Sequence, residues 1–144
     1  MFKVTSALFL SATLFTTAAH ATIQEQQWGN WFGNTSGMEF GINADNDVGE
    51  HITFTCIGGH LGITYSVPAK NYSISSGAGL KKPGLIINST HYQLGEAAFM
   101  ALKNTSDEGV LEVTEAKKPL SKPFKTVGLQ EALKEVTWQD CISR

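Results

Sequence analysis

The stretch His51–Pro68 decides the fold, and it reads HITFTCIGGHLGITYSVP. Its first half alternates polar residues with apolar ones, namely Ile52, Phe54 and Cys56. This period of two is typical of a half-buried strand. Gly58-Gly59-His60 interrupts the pattern, and a second apolar face follows with Leu61, Ile63, Tyr65 and Val67. Two such runs joined by a short glycine-rich turn predict an antiparallel hairpin.

Further strands are predicted on both sides of this hairpin. Before it, Met38, Phe40 and Ile42 alternate with polar residues and glycine, and the segment 45–49 supplies turn residues. After it, Tyr72–Ser75 and Leu85–Ile87 are short strand candidates. The segment 91–102 fits either a buried strand or a short helix. Val110–Thr114 is also a strand candidate, and the charged, proline-containing residues around it favour a position at a sheet edge.

The C-terminal region contains the clearest helix signal. From Gly128 onward, apolar residues recur at positions i, i+3, i+4 and i+7, namely Leu129, Ala132, Leu133 and Val136. A surface helix buries such a stripe. We therefore predict a mainly β protein: a single-domain antiparallel β-sandwich over residues 22–144 with a short C-terminal α-helix.

The N-terminus predicts export. Lys3 precedes an apolar run from Ala7 to Phe15, and Ala19-His20-Ala21 has the small-x-small pattern of a signal-peptidase site. We therefore predict a signal peptide over residues 1–21, cleavage after Ala21 and a mature chain of about 123 residues in the periplasm. The apolar run is shorter than the roughly 20 residues that a membrane-spanning helix needs.

The two cysteines, Cys56 and Cys141, predict one disulfide, because an even pair in an exported chain is usually oxidised. The bridge would link the first strand of the hairpin to the C-terminal end. Closing a loop of this size stabilises the fold by about 4 kcal/mol in the chain-entropy description.

Charge and motifs limit the function classes. The mature chain has ten basic and thirteen acidic residues, which argues against nucleic acid or an anionic membrane as a partner. No nucleophile elbow or zinc-binding helix motif is present, so we expect no enzyme and no cofactor. Asn43, Asp45, Asp47, Gly49 and Glu50 resemble the first half of a calcium loop. The second half is missing, so a hairpin turn is favoured over a metal site.

Three surfaces are candidates for contact with a partner. The first is the flexible, small-residue loop before the fifth strand candidate, with Ser75, Ser76, Gly77, Lys81 and Lys82, for which an ordinary disordered hairpin without a partner is the alternative. The second is the aromatic group Trp28, Trp31 and Phe32, which anchors a partner if exposed and fills the core if buried, and we expect at least one tryptophan to be buried. The third is the acidic group Asp45, Asp47 and Glu50, suited to a basic hydrolase.

Two resemblances add to these expectations. Phe124, Gly128, Leu129, Ala132 and Leu133, with the late Cys141, resemble the ending of small periplasmic β-sandwich proteins of the invasion-associated locus B type. The segment Ser76–Leu80 is similar to the S-G-x-x-Y loop of periplasmic inhibitors of C-type lysozymes, with Leu80 in the place of tyrosine. Both resemblances imply a small exported β protein, and the second implies an inhibitor or immunity role.

Together these features predict a non-enzymatic binding protein of the periplasm. The expected partner is an exported cell-wall hydrolase or toxin, which the protein would occlude. The alternatives are a locus B-like envelope or virulence protein and a carrier of small apolar ligands. An exposed sheet edge also allows a homodimer.

Overall fold

The computed structural model describes residues 25–36 and 40–143. The predicted signal peptide and Met38 lie outside these residues. A first sheet contains six strands, β1 to β6: Gln26–Trp28, Trp31–Asn34, Gly41–Asp45, His51–Ile57, His60–Val67 and Tyr72–Ser75. A second sheet contains β7 to β11: Pro83–Ile87, Thr90–Gln93, Val110–Glu115, Lys118–Pro119 and Phe124–Lys125. The α-helices are α1 Glu96–Asn104, α2 Leu129–Leu133 and α3 Trp138–Ile142.

The first sheet is an antiparallel meander in which each strand pairs with the next along the chain. The predicted hairpin lies at its centre as β4 and β5, with Phe54 opposite Ile63. Ile52, Phe54 and Cys56 are buried on one face, while the threonines between them are half-buried on the other. The alternation in the sequence therefore corresponds to an inner apolar face and an outer polar face.

The second sheet corrects the prediction for Val110–Thr114. This segment lies within β9, which pairs with β7 on one side and with β10 and β11 on the other. It is a central strand and not an edge. The reason is that Ala116 and Lys117 form a turn with positive φ, so the lysine- and proline-containing residues fold back as β10.

The ambiguous segment 91–102 contains both a strand and a helix. It begins in β8 and continues into α1, separated by Gly95 at φ +154°, a backbone angle that favours glycine. The face of α1 with Ala98, Phe99 and Leu102 is buried.

The C-terminal helix signal is divided between two short helices. All four residues of the predicted stripe are buried, but α2 ends at Leu133 and α3 begins at Trp138. Thr137 caps α3, since its hydroxyl accepts a hydrogen bond from the Asp140 amide at 3.1 Å. The Cys56–Cys141 disulfide then joins α3 to β4, with the two Cα atoms 5.0 Å apart.

The two sheets and three helices share one hydrophobic core. Its large members include Trp31, Phe54, Phe99 and Phe124, all nearly or completely buried. The predicted class is confirmed: mainly strands in two antiparallel, sandwich-like sheets, a C-terminal helix and one disulfide. No helix among the residues that the structure describes is long and apolar enough to cross a membrane.

Candidate functional site

The loop between β6 and β7 has a backbone closed by hydrogen bonds. The Ser75 amide donates to the Ala78 carbonyl at 2.9 Å, and the Ala78 amide returns a bond of the same length. The Leu80 amide also donates to the Ser75 carbonyl, at 3.0 Å. Ser76 attaches this turn to β5: its amide donates to the Ile63 carbonyl, and its Oγ accepts from the Ile63 amide. The loop is therefore an ordered structure.

The tip of this loop is open to solvent although its base is anchored. Gly77, Ala78 and Gly79 are exposed, whereas the Leu80 side chain is buried in the core. A Cβ added to Gly77 would meet no atom within 4 Å. Gly79 differs because it has φ +94° and its added Cβ would lie 3.2 Å from the Ile74 Cγ2 atom. Of these two glycines, only Gly79 has a backbone conformation that disfavours a residue with a side chain.

The lysine end of the loop rests on the second sheet. Lys81 and Lys82 are exposed. The Lys81 amide donates to the Glu115 Oε2 atom at 3.0 Å, and the Ala116 amide donates to the Lys82 carbonyl at 3.2 Å. These two contacts fix the position from which both lysine side chains extend.

A groove of about 520 Å³ runs beside the loop. Its lining includes Ser75, Ser76 and Gly77 of the loop, and Thr55, Gly62 and Thr64 from the outer face of β4 and β5. The lining is a mixture of hydroxyl groups, backbone and a few apolar side chains, including Ile57 and Leu94. Such a surface can accept both hydrogen-bonding and apolar groups of a partner.

The aromatic group does not form one exposed surface. Trp31 is completely buried, stacks on Phe54 at 5.7 Å between ring centroids and donates its indole N–H to the Lys125 carbonyl. The expected burial of at least one tryptophan is therefore confirmed, and Trp31 is corrected from a candidate partner contact to a core residue. Trp28 is partly buried against the core. Phe32 is half-buried on the outer face, beside the His51 ring.

The acidic group is also divided. Asp45 and Asp47 are exposed, but Glu50 is only 8% exposed. The Glu50 carboxylate accepts hydrogen bonds from the Tyr65 hydroxyl, from the Asn46 amide group at 2.7 Å and from the Lys122 backbone amide at 2.7 Å. The prediction of Glu50 as a partner contact is corrected, because its oxygens are already engaged inside the protein.

These contacts determine the ionisation of the Glu50 carboxylate and the Tyr65 hydroxyl. Burial by itself raises the pKa of Glu50, but the hydrogen bonds from Tyr65, Asn46 and Lys122 and the charge of Lys122 outweigh it. The net result is a pKa below the usual value, so Glu50 is ionised at neutral pH. Burial and the neighbouring Glu50 carboxylate raise the pKa of Tyr65, which keeps its hydroxyl protonated as a donor.

One polar cluster on the outer face was not predicted. His51 Nδ1 lies 2.7 Å from an Asp45 carboxylate oxygen, and its Nε2 atom lies 3.3 Å from the Thr53 hydroxyl. This order of groups is similar to a catalytic triad, but the Thr53 hydroxyl donates at 2.6 Å to the Asn43 side-chain oxygen. The hydroxyl proton is thus directed away from the histidine. The pairing of Asp45 with His51 across the hairpin is the signal that identifies this cluster.

The three predicted surfaces lie at separate places. The aromatic group begins at β1 and the loop follows β6, which are the two opposite edges of the first sheet. The acidic turn joins β3 to β4, at the end of the sheet away from the loop, because successive strands are antiparallel. The loop with its groove is therefore the candidate site, and the acidic and aromatic residues do not extend it.

Within residues 25–36 and 40–143, no group of histidine, cysteine and acidic side chains is arranged to hold a metal ion.

Comparison with known proteins gives no match to any family model, curated protein or solved structure.

Proposed function

We propose that this protein is an exported, non-enzymatic binding protein that inhibits a cell-wall hydrolase of the periplasm. The loop Ser75–Lys82 enters the hydrolase's substrate cleft and excludes the substrate. The observation that carries the proposal is the combination of an ordered loop backbone with an exposed tip. The disulfide supports the proposed location, because such bonds persist in oxidising compartments.

The order of the loop favours tight binding. Association costs free energy when flexible segments must be fixed, and a loop that is ordered before binding avoids much of this cost. The tip has no large side chain at Gly77, so a partner can approach its backbone closely. The exposed Lys81 and Lys82 add positive charge beside it, which suits the acidic cleft of a glycan-cleaving enzyme.

The test is inhibition of peptidoglycan degradation. The oxidised protein, beginning at Thr22, is added in increasing amounts to a panel of purified muramidases and amidases acting on purified peptidoglycan. We expect stoichiometric loss of activity for at least one hydrolase. Gly77→Trp should abolish this inhibition, because the indole would occupy the space through which the tip approaches the cleft. The fold should be unchanged, since a side chain at this position points into open space.

The control is Gln130→Trp, which adds the same side chain at an exposed position on α2. It should inhibit as well as the unaltered protein. The proposal is wrong if no hydrolase of the panel is inhibited. The assignment of the loop is wrong if the Gly77→Trp protein inhibits with unchanged potency.

A further inference from the structure

A second pocket, of about 380 Å³, lies at the end of the second sheet where β7 begins and β8 ends. Its lining includes the basic side chains Lys82, His91 and Lys117, the amide of Gln93 and the apolar side chains Pro83 and Leu94. The volume is within the range of about 300–1,000 Å³ that is typical of small-molecule sites. The pocket shares Lys82 with the loop Ser75–Lys82, and Pro83 and Leu94 with the groove beside it, but the inhibitor proposal makes no use of His91, Gln93 or Lys117.

The charge of the pocket has one sign. Two lysines and a histidine line it, together with neutral residues and no aspartate or glutamate. Glu115 is adjacent in sequence to Ala116 of the lining, but its carboxylate accepts the hydrogen bond from the Lys81 amide. A ligand in the pocket therefore meets hydrogen-bond donors and positive charge without a competing carboxylate from the lining.

The histidine is held in place by its surroundings. His91 is half-buried, and its Nε2 atom lies 3.3 Å from the hydroxyl of the fully buried Thr114. The ring reaches this hydroxyl across Gly84, where an added Cβ would lie only 2.9 Å from His91 Nε2. Glycine at residue 84 thus provides the space that the imidazole occupies.

The two lysines are placed by unusual backbone angles. Lys82 has φ +45° and Lys117 has φ +67°, in the left-handed region that costs a non-glycine residue about 1 kcal/mol. Lys117 is the second residue of the two-residue turn between β9 and β10, a position where glycine or asparagine is usual. The chain accepts this strain at both positions where a lysine borders the pocket.

We infer that this pocket binds a small organic anion. Its oxyanion group, a carboxylate or a phosphate, contacts Lys82, Lys117 and Gln93, and a compact apolar part packs against Pro83 and Leu94. Charged hydrogen bonds of this kind are about twice as strong as neutral ones. The site adjoins the base of the loop, since Lys82 belongs to both, but it does not include the exposed tip at Gly77, and anion binding does not require that the loop inhibit a hydrolase.

The experiment is an NMR titration of the ¹⁵N-labelled oxidised protein at constant ionic strength. The probes are sodium butyrate, inorganic phosphate and butyramide, the neutral isostere of butyrate. We expect saturable amide shifts with butyrate, phosphate or both, confined to Gln93, Leu94, Ala116 and Lys117. Saturation by phosphate alone identifies a phosphate ligand, and saturation by butyrate alone a carboxylate ligand. Butyramide should produce no saturable shift.

Charge-matched variants complete the test. Lys82→Gln with Lys117→Gln should weaken anion binding about tenfold, because each lysine supplies a charged donor. Lys117→Gln alone should weaken it several-fold. The control, Lys70→Gln with Lys134→Gln, removes the same charge from exposed sites outside the pocket and should leave affinity within about twofold. The inference is overturned by equal binding of butyramide, by shifts that do not saturate, or by equal weakening in the control. Since no hydrolase is present, these outcomes leave the inhibitor proposal unaffected.

Discussion

Two polar connections of the first sheet use their residues in opposite ways. In the turn between β3 and β4, the acidic side chain of Glu50 is bonded within the fold: its carboxylate accepts three hydrogen bonds and lies buried against Tyr65. In the loop after β6, the backbone of Ser75 forms hydrogen bonds within the loop, while the tip at Gly77 is exposed. The first connection stabilises the fold. The second leaves an ordered surface that a partner can contact.

The comparison shows that a charged residue in a turn is weak support for a binding site. Glu50 and Asp47 lie three residues apart, yet one is buried and satisfied and the other is exposed. What separates them is the set of donors that the tertiary structure brings to Glu50, including the Lys122 amide from a distant part of the chain. The following substitutions test the contrast between residues that stabilise the fold and residues that are only exposed, beginning with the largest expected effect.

Glu50→Ala should destabilise the protein most, by about 3 kcal/mol, because it leaves the buried Tyr65 hydroxyl and the part-buried donors of Asn46 and Lys122 without their acceptor. The measurement is the free energy of unfolding from urea titration at pH 7. Asp47→Ala is the matched control, and it should change this free energy by less than about 0.5 kcal/mol. Similar losses for both variants would contradict the contrast between the two acids.

Stability should also fall in acid because of Glu50. Its folded-state pKa is lowered below the reference value of 4.5, so its ionised form stabilises the fold above that pH. This contribution is lost as the pH falls from about 4.5 through the lower folded pKa. Urea midpoints measured between pH 7 and pH 3 should fall more steeply for the unaltered protein than for Glu50→Gln. Parallel curves would show that Glu50 does not contribute.

Gly79→Ala should cost about 1–2 kcal/mol, because alanine is strained at φ +94° and its Cβ would crowd Ile74. Gly77→Ala is the control, since the structure leaves open space there, and its effect should stay below about 0.5 kcal/mol. Thermal unfolding of the two proteins compares them directly. Equal melting temperatures would mean that the loop does not hold the backbone described for it.

Ser76→Ala should have a smaller effect of about 1 kcal/mol, since it removes the side-chain acceptor of the Ile63 amide and keeps the backbone bond. Urea unfolding measures the change, and Ser73→Ala, at an exposed serine of β6 just before the loop, provides the comparison. A Ser76→Ala protein as stable as the Ser73→Ala protein would remove the role of Ser76 as a link between loop and sheet.

The sequence predicted the fold well where the hydrophobic period was regular. In β4 and β5 every apolar position of the alternation is buried except Val67, which is half-buried at the strand end. Prediction from the sequence failed where contacts between residues distant in the sequence determine the position of a strand or the end of an element. The lysine- and proline-containing flank of Val110–Thr114 is typical of an edge strand, but in the structure that flank folds back as β10 and covers the edge. The segment 91–102 was ambiguous because one glycine, Gly95, divides a strand from a helix.

The candidate site was predictable in part. Small residues and glycines identified the loop, and its tip is exposed, while its contact with a partner stays a prediction. The burial of Trp31 and Glu50 depends on Lys125 and Lys122, whose backbone groups lie far away in the sequence. The basic pocket depends on β7, β8 and the turn after β9 meeting at one end of a sheet. No local pattern in the sequence contains that information.

Amide hydrogen exchange in the free protein tests most directly whether the loop is ordered before it meets a partner. We predict that the amides of Ser75, Ser76, Ala78 and Leu80 exchange at least about a hundredfold more slowly than in an unstructured peptide, because each donates to a backbone carbonyl. Exchange of these four amides at unstructured-peptide rates would contradict a preformed loop and, with it, the proposed mechanism of inhibition.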